Sequence, residues 1–197
     1  MANVSRVNGF RPVRSLNGAA WNGQGTQYFI PTADSTAVFN GDAVKISGTA
    51  SANGVRGVTK AAVGDAIVGH VVGFSVNPLN LNTPQYRPAN ANVVDGGMYV
   101  LVCDDPNTYY EVQVSGTVAN TDVGLNANFA DAGGSTTTGM SGETLDGSTK
   151  ATTATLTYKI LDFVQKVDND VTSAGAKVLV KINNHQLSTG TGTLGIA

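Results

Sequence analysis

GGMYVLVCDDPNTYYEVQV, residues Gly96 to Val114, is the stretch whose reading decides the fold class. Tyr99 to Cys103 is an unbroken apolar run too short for a helix, the pattern of a strand covered on both faces. Asp104-Asp105-Pro106-Asn107-Thr108 follows, where Pro106 has no N–H for a ladder and the Asp and Asn side chains satisfy turn backbone. Tyr109 to Val114 then alternates, with Tyr110, Val112 and Val114 on one face and Tyr109, Glu111 and Gln113 on the other. The two runs are expected to pair as a β-hairpin at the centre of an antiparallel sheet, one face buried and the other wet.

The same signals continue on either side. Thr26 to Ile30 reads as a strand ended by Pro31, and Asn40-Gly41-Asp42 between Val38-Phe39 and Ala43 to Ile46 reads as a second hairpin. Ala66 to Val76 is a strand whose glycines, Gly69 and Gly73, mark a bulge, a barrel corner or a close backbone approach. Leu156 to Val164 and Lys177 to Ile182 are expected to form an antiparallel pair, with Val178, Val180 and Ile182 inward. No window carries a capped 3.6-residue period. The fold class is therefore all-β, an antiparallel β-sandwich or barrel with an extended N-terminal arm and long loops.

One domain suffices for 197 residues. Residues 1–25 read as an extended arm, with Arg6, Arg11 and Arg14 preceding the first acidic residue and Phe10, Val13, Leu16 and Trp21 as apolar anchors. Residues 26–187 form the β domain. Within it, Asn77 to Ala91 is a long proline-containing excursion, and 131–155 is a Gly/Ser/Thr-rich stretch expected to be a flexible loop. Residues 188–197 read as a polar tail.

Charged residues make up 13% of the chain and the formal net charge is -2, so wholesale capture of nucleic acid is not indicated. The start of the chain lacks the apolar core of a secretory signal, and no apolar run is long enough to span a membrane. Synthesis in a cytosol follows as the expectation. Cys103 is the sole cysteine, so no disulfide forms within the chain.

Catalytic chemistry finds little to build on. Histidine is limited to His70 and His185, the first within an apolar strand and the second at a strand end. With Cys103 they make no clustered zinc set. Asp104, Asp105 and Asn107 lack the spacing of a calcium loop and read as a turn. A carboxylate pair for glycoside hydrolysis would come from Asp95, Asp104, Asp105, Glu111 or Asp162, which the sequence alone does not bring together. The glycines match no phosphate-binding spacing. No enzyme activity, cofactor or metal is expected. A rival reading is a carbohydrate-binding module with Tyr86, Tyr109 and Tyr110 as a stacking platform, and a third is a β-sandwich hydrolase or lyase with a cleft of convergent carboxylates.

Several blocks taken in order carry a resemblance. MANVSRVNGFRPVRSLNG at the start, YFIPTADSTAVFNGDAVKISG from Tyr28 to Gly48, YVLVCDDPNTYYEVQ from Tyr99 to Gln113, STTTGMSG from Ser135 to Gly142 and VKINNHQL from Val180 to Leu187 resemble capsid cement (decoration) proteins of tailed bacteriophages. The resemblance implies a jelly-roll-like or barrel-like β protein that binds the outer surface of the shell and clamps neighbouring major capsid subunits. It implies a homo-oligomer, dimer or trimer, made in the host cytoplasm and residing on the virion, with no nucleic-acid or membrane partner. On that view Arg6, Arg11 and Arg14 are candidates for pairing with acidic shell residues. Phe10, Trp21, Tyr86 and Arg87 are candidate contacts, since Trp, Tyr and Arg dominate interface hot spots. The alternative on the same scaffold is a carbohydrate-binding or head-fibre module of the virion surface.

Overall fold

Short alternating runs of Val, Ile, Tyr and Phe, broken every few residues by Gly, Asn, Asp or Pro, have a period of two and room for little else than strands. The computed structural model describes residues 3–76, 78–79, 81, 85–89, 96–188, 192 and 195. In chain order the strands are β1 (Arg11–Ser15), β2 (Thr26–Pro31), β3 (Val38–Phe39), β4 (Ala43–Ala50), β5 (Arg56–Lys60), β6 (Gly69–Phe74) and β7 (Tyr86–Arg87). They continue as β8 (Gly97–Cys103), β9 (Thr108–Ser115), β10 (Asn126–Ala127), β11 (Phe129–Ala130), β12 (Thr144–Asp146), β13 (Tyr158–Phe163) and β14 (Lys177–Ile182). Among the described residues one 3-10 turn is present, at Asn120–Asp122. The molecule is all-β, as the alternation requires.

Two larger bodies of sheet and a two-stranded ladder, β3-β7, form among the described residues. The first is a small barrel, β2-β5-β4-β6-β8, closed by a single parallel pair between Phe29 and Gly57. Tyr28, Ile30, Val44, Val58, Val68, Val71, Val100 and Val102 fill it. The second is a mixed sheet in the order β10-β13-β14-β9-β12-β11, with β1 added beside β9 and β12 running parallel to it. Its inner face carries Tyr110, Val112, Val114, Tyr158, Ile160, Val178, Val180 and Ile182, and this cluster continues onto Ala43, Ala61, Ile67 and Cys103 of the barrel side. The two cores therefore meet at the barrel wall.

Between the two bodies runs the stretch from Gly96 to Val114. Its two strands form where expected, and Tyr110, Val112 and Val114 are buried. They do not pair with each other. β8 pairs with β2 and β6, while β9 pairs with β1, β14 and β12. The Asp104 to Asn107 segment is thus a corner that carries the chain from one sheet to the other. Alternation fixes which residues face inward but not which strand lies alongside, and a Pro-containing connection this long leaves the strands free to diverge. The Asn40-Gly41-Asp42 turn behaves in the same way: β3 pairs with β7, and β4 with β5 and β6. By contrast β13 and β14 are the antiparallel pair that the sequence predicts.

Gly69 is a close approach. A Cβ there would stand 2.1 Å from the Cys103 carbonyl oxygen, so only glycine lets β6 lie against β8 at that level. The ladder slips between Val71 and Gly73, giving the bulge expected near the second glycine.

Two further expectations change. The 131–155 stretch is packed rather than loose: β12 lies within it, Ser141, Glu143 and Leu145 are buried, and its backbone is tied to residue 40 by Asn40 N–H to Gly139 O (2.9 Å) and Ser141 N–H to Asn40 O (2.8 Å). Small residues there permit close packing on the 40–43 turn rather than freedom from it. The 1–25 arm, for its part, lies on its own chain, as detailed below. Most of the 188–197 tail and much of the 77–91 excursion fall outside the described residues.

Candidate functional site

From Asn3 the arm is fastened at three levels. Asn3 donates to the Asp170 carbonyl (2.8 Å) and accepts from the Asp170 N–H (2.7 Å). Gln113 accepts from the Arg6 N–H (3.0 Å) and donates to the Val4 carbonyl (3.1 Å). Phe10, whose N–H donates to Gly41 O (3.1 Å), is 1% exposed and stacks on both His70 and Tyr158. Strand β1 then extends the second sheet, and residues 19–21 fold back along it, Trp21 N–H donating to Val13 O (3.0 Å).

This places the seven candidate contact residues unequally. Phe10 is a core residue of the monomer, its ring buried between His70 of the barrel and Tyr158 of the second sheet. Arg87 is fully buried, its guanidinium donating to the carbonyls of Thr36 (2.6 Å), Pro31 (3.1 Å) and Asp34 (2.5 Å). It holds the 31–36 loop together and is not available to a partner. Tyr86 stacks face to face on Phe39 (5.0 Å). Trp21 is half-buried against the core and lines an open cleft. Arg6, Arg11 and Arg14 are exposed.

Register brings the exposed arginines into company that linear sequence does not show. Arg14 is opposite Tyr109, Tyr109 opposite Lys181, and Lys181 opposite Lys159. Paired residues in a sheet point to the same side, so these four side chains form one row across β1, β9, β14 and β13 on the face away from the core. Arg14 lies over the Tyr109 ring at 4.9 Å, a cation–π contact. The parallel row one step away reads Arg11, Glu111, Leu179, Asp162. Its Glu111 is paired with Lys166 (3.1 Å). Burial and the neighbouring Lys181 charge lower the Lys159 pKa. A chain of net charge -2 thus presents a line of positive charge on one sheet face.

The ionisable groups with the strongest perturbation lie elsewhere, in the interior. His70 is held neutral, its pKa pushed down to about 3 by burial and by the nearby His185. Its Nε2 shares a 2.7 Å hydrogen bond with the Tyr158 hydroxyl. At the joint between the 40–43 turn and the 131–143 stretch, Asp42 and Glu143 are both fully buried beside Lys60. Lys60 Nζ is 2.9 Å from Asp131, 3.5 Å from Asp42 and 4.0 Å from Glu143. Burial, and for Glu143 the neighbouring Asp42 charge, raises both carboxyl pKa values. Nothing in the spacing of Asp42, Lys60 and Glu143 announces this cluster. Only the packing of the 131–143 stretch does.

None of His70, Asp42, Lys60 and Glu143 lines the cleft beside Trp21. Of the carboxylates weighed for hydrolysis, Glu111 and Asp162 stand on the outer sheet face, Asp104 and Asp105 at the corner, and Asp95 lies outside the described residues. No group of three or more His, Cys, Asp or Glu side chains among the described residues is arranged to hold a metal ion. The tyrosine platform is not assembled: Tyr110 is fully buried, Tyr86 is stacked on Phe39, and Tyr109 lies under Arg14 in the other sheet.

Comparison of the chain with protein-family models, with curated proteins and with solved structures gave no match in any of the three. The functional reading rests on geometry and on the sequence blocks quoted above.

Proposed function

We propose that this chain is a structural virion protein that binds the outer surface of a tailed-phage capsid and clamps neighbouring major capsid subunits, without catalysis. The observation that carries the reading is the basic row Arg14, Tyr109, Lys181, Lys159. Lys159 and Lys181 stand opposite each other across one ladder, so the row holds its positive charges close together on one face, where an acidic partner surface would meet them jointly. The row is spread over four strands, so the sheet holds its charges at fixed spacing and little side-chain order is lost on docking. Repetition over a lattice would then multiply modest single-site affinity.

The resemblance of five ordered sequence blocks to capsid cement proteins supports the major capsid protein as the partner, and the homo-oligomer, dimer or trimer, belongs to the same proposal. The test is the copy number of this chain in purified particles relative to the shell subunit, by quantitative mass spectrometry. A number comparable to the shell subunit is the expected result. A handful of copies, or none, overturns a lattice-wide clamp.

A further inference from the structure

The open cleft beside Trp21 lies where the two sheets meet. It has a volume of about 680 Å³, within the range of small-molecule sites. One wall is the 19–25 segment, which folds back along β1 before entering β2. The other is the corner at Asp104 and Asp105 between β8 and β9.

Trp21 is the sole tryptophan of the chain and is only half-buried. One side packs against the core of the second sheet, and its indole N–H donates to the Gln24 carbonyl (3.2 Å), so the ring is fixed in place with its polar atom already satisfied. What it offers the cleft is apolar surface. Opposite stand carboxylates. Asp104 accepts from the Thr26 hydroxyl through one oxygen (2.9 Å) and from the Tyr28 hydroxyl through the other (2.9 Å), which locks its plane. Asp105 accepts from the Asn107 N–H (2.9 Å). Each carboxylate oxygen keeps a further lone pair. Asn22 and Gln24 add amides, themselves joined by Asn22 Nδ2 to Gln24 Oε1 (3.1 Å). No lysine or arginine is among the described residues that line the cleft.

A rigid aromatic surface facing preset acceptors and amides, with no cation, selects against anions and for a ligand that is apolar on one side and rich in hydroxyl donors on its rim. We infer that this cleft is a binding site for a neutral saccharide, one pyranose ring lying against Trp21 with its hydroxyls donating to Asp104 and Asp105. The site is independent of the basic row. It also relocates carbohydrate recognition from the dispersed tyrosines to the chain's one tryptophan.

Because Trp21 is the sole tryptophan, its emission reports this cleft without labelling. The full chain is applied to an array of neutral glycans, and the retained sugars are titrated against intrinsic fluorescence. D105N, which keeps an acceptor for the Asn107 N–H, serves as the site variant, and N-acetyl-arginine amide as a cationic probe. The expected result is saturable change in Trp21 emission by at least one neutral glycan, weakened roughly tenfold or more in D105N with an unchanged melting temperature. Absence of neutral-glycan binding across the array, or equal binding by D105N, overturns the proposal. So does a response to the arginine amide alone, which would make the cleft a receptor for a basic side chain. Particle copy number does not depend on any of these outcomes, so failure here and failure of the clamp are told apart.

Discussion

Phe10 and Tyr158 are stacked with ring centroids 4.4 Å apart and planes 13° from parallel, joining the N-terminal arm to the middle of the second sheet. The contact continues on the other side to His70 of the barrel, at 4.6 Å. One phenyl ring from the arm therefore ties both bodies together. F10A leaves a cavity at that junction and is expected to lower unfolding free energy by ~3–5 kcal/mol, the range for deleting a buried aromatic. Denaturant titration measures it. A loss below about 1 kcal/mol would mean that the arm is dispensable to the fold. It also follows that deleting residues 1–22 is no clean test of partner binding, because the deletion removes a core residue as well as Arg6, Arg11 and Arg14.

The joint at Asp42, Lys60 and Glu143 predicts a stability that falls as pH rises. Glu143 has a folded pKa well above its ordinary 4.5, chiefly through burial and then through the Asp42 charge. The folded state thus keeps a proton that the unfolded chain releases, and stability declines from about pH 4.5 upward until the folded group ionises. E143Q removes that linkage while an amide oxygen still accepts from the Ala43 N–H, the contact Glu143 makes at 2.9 Å. At pH 8 the variant is expected to be more stable than the parent by on the order of 1 kcal/mol, with a flatter profile. Melting temperatures across the pH range decide the matter, and a variant less stable at pH 8 would show that the charge, not the shape, is needed there.

His70 acts in the opposite sense. Its folded pKa is depressed from 6.5 to about 3 by burial, with His185 adding to it. Below pH 6.5 the unfolded chain takes up a proton that the folded chain refuses, so this group weakens the fold as pH falls, by up to about 1.4 kcal/mol per pH unit, until about pH 3. Between roughly pH 4.5 and 6.5 the histidine and carboxyl effects offset each other. H70Q, which keeps a partner for the Tyr158 hydroxyl, is expected to be less stable at neutral pH but to lose stability more slowly on acidification. An acid limb with unchanged steepness in H70Q would assign acid unfolding to other groups.

Much of this architecture was legible in the residues, and what was not has identifiable causes. The inward sets Tyr110, Val112, Val114 and Val178, Val180, Ile182 follow from a side-chain period of two, and the Gly69 approach from glycine inside an apolar strand. Partner choice was hidden: β8 and β9 carry the pattern of a hairpin, yet each finds its neighbours elsewhere in the chain, because alternation is the same for any partner. Composition misled at 131–155, where small polar residues read as freedom but serve close packing on the 40–43 turn. It misled again at Arg87, whose charge suggested a surface when its five donors suit a cluster of loop carbonyls. The basic row was invisible for another reason. Arg14, Lys181 and Lys159 become neighbours only through the register of four strands.

That row gives a test that separates binding from folding. In K181E the like-charge pair with Lys159 becomes an opposite pair on adjacent strands. Cross-strand charge pairs are worth roughly 0.2–1 kcal/mol, so the change in stability of the isolated protein is expected to stay within that amount. Docking on an acidic partner surface should weaken at once, and further in the double variant R14E/K181E, because Arg14 and Lys181 flank Tyr109 in the same row. Co-sedimentation of each variant with particles lacking the wild-type chain measures binding, and a thermal melt measures stability. A variant that keeps the parent's melting temperature within a few degrees yet fails to sediment would show that this row meets the partner. Undiminished binding by R14E/K181E would remove this sheet face from the interface.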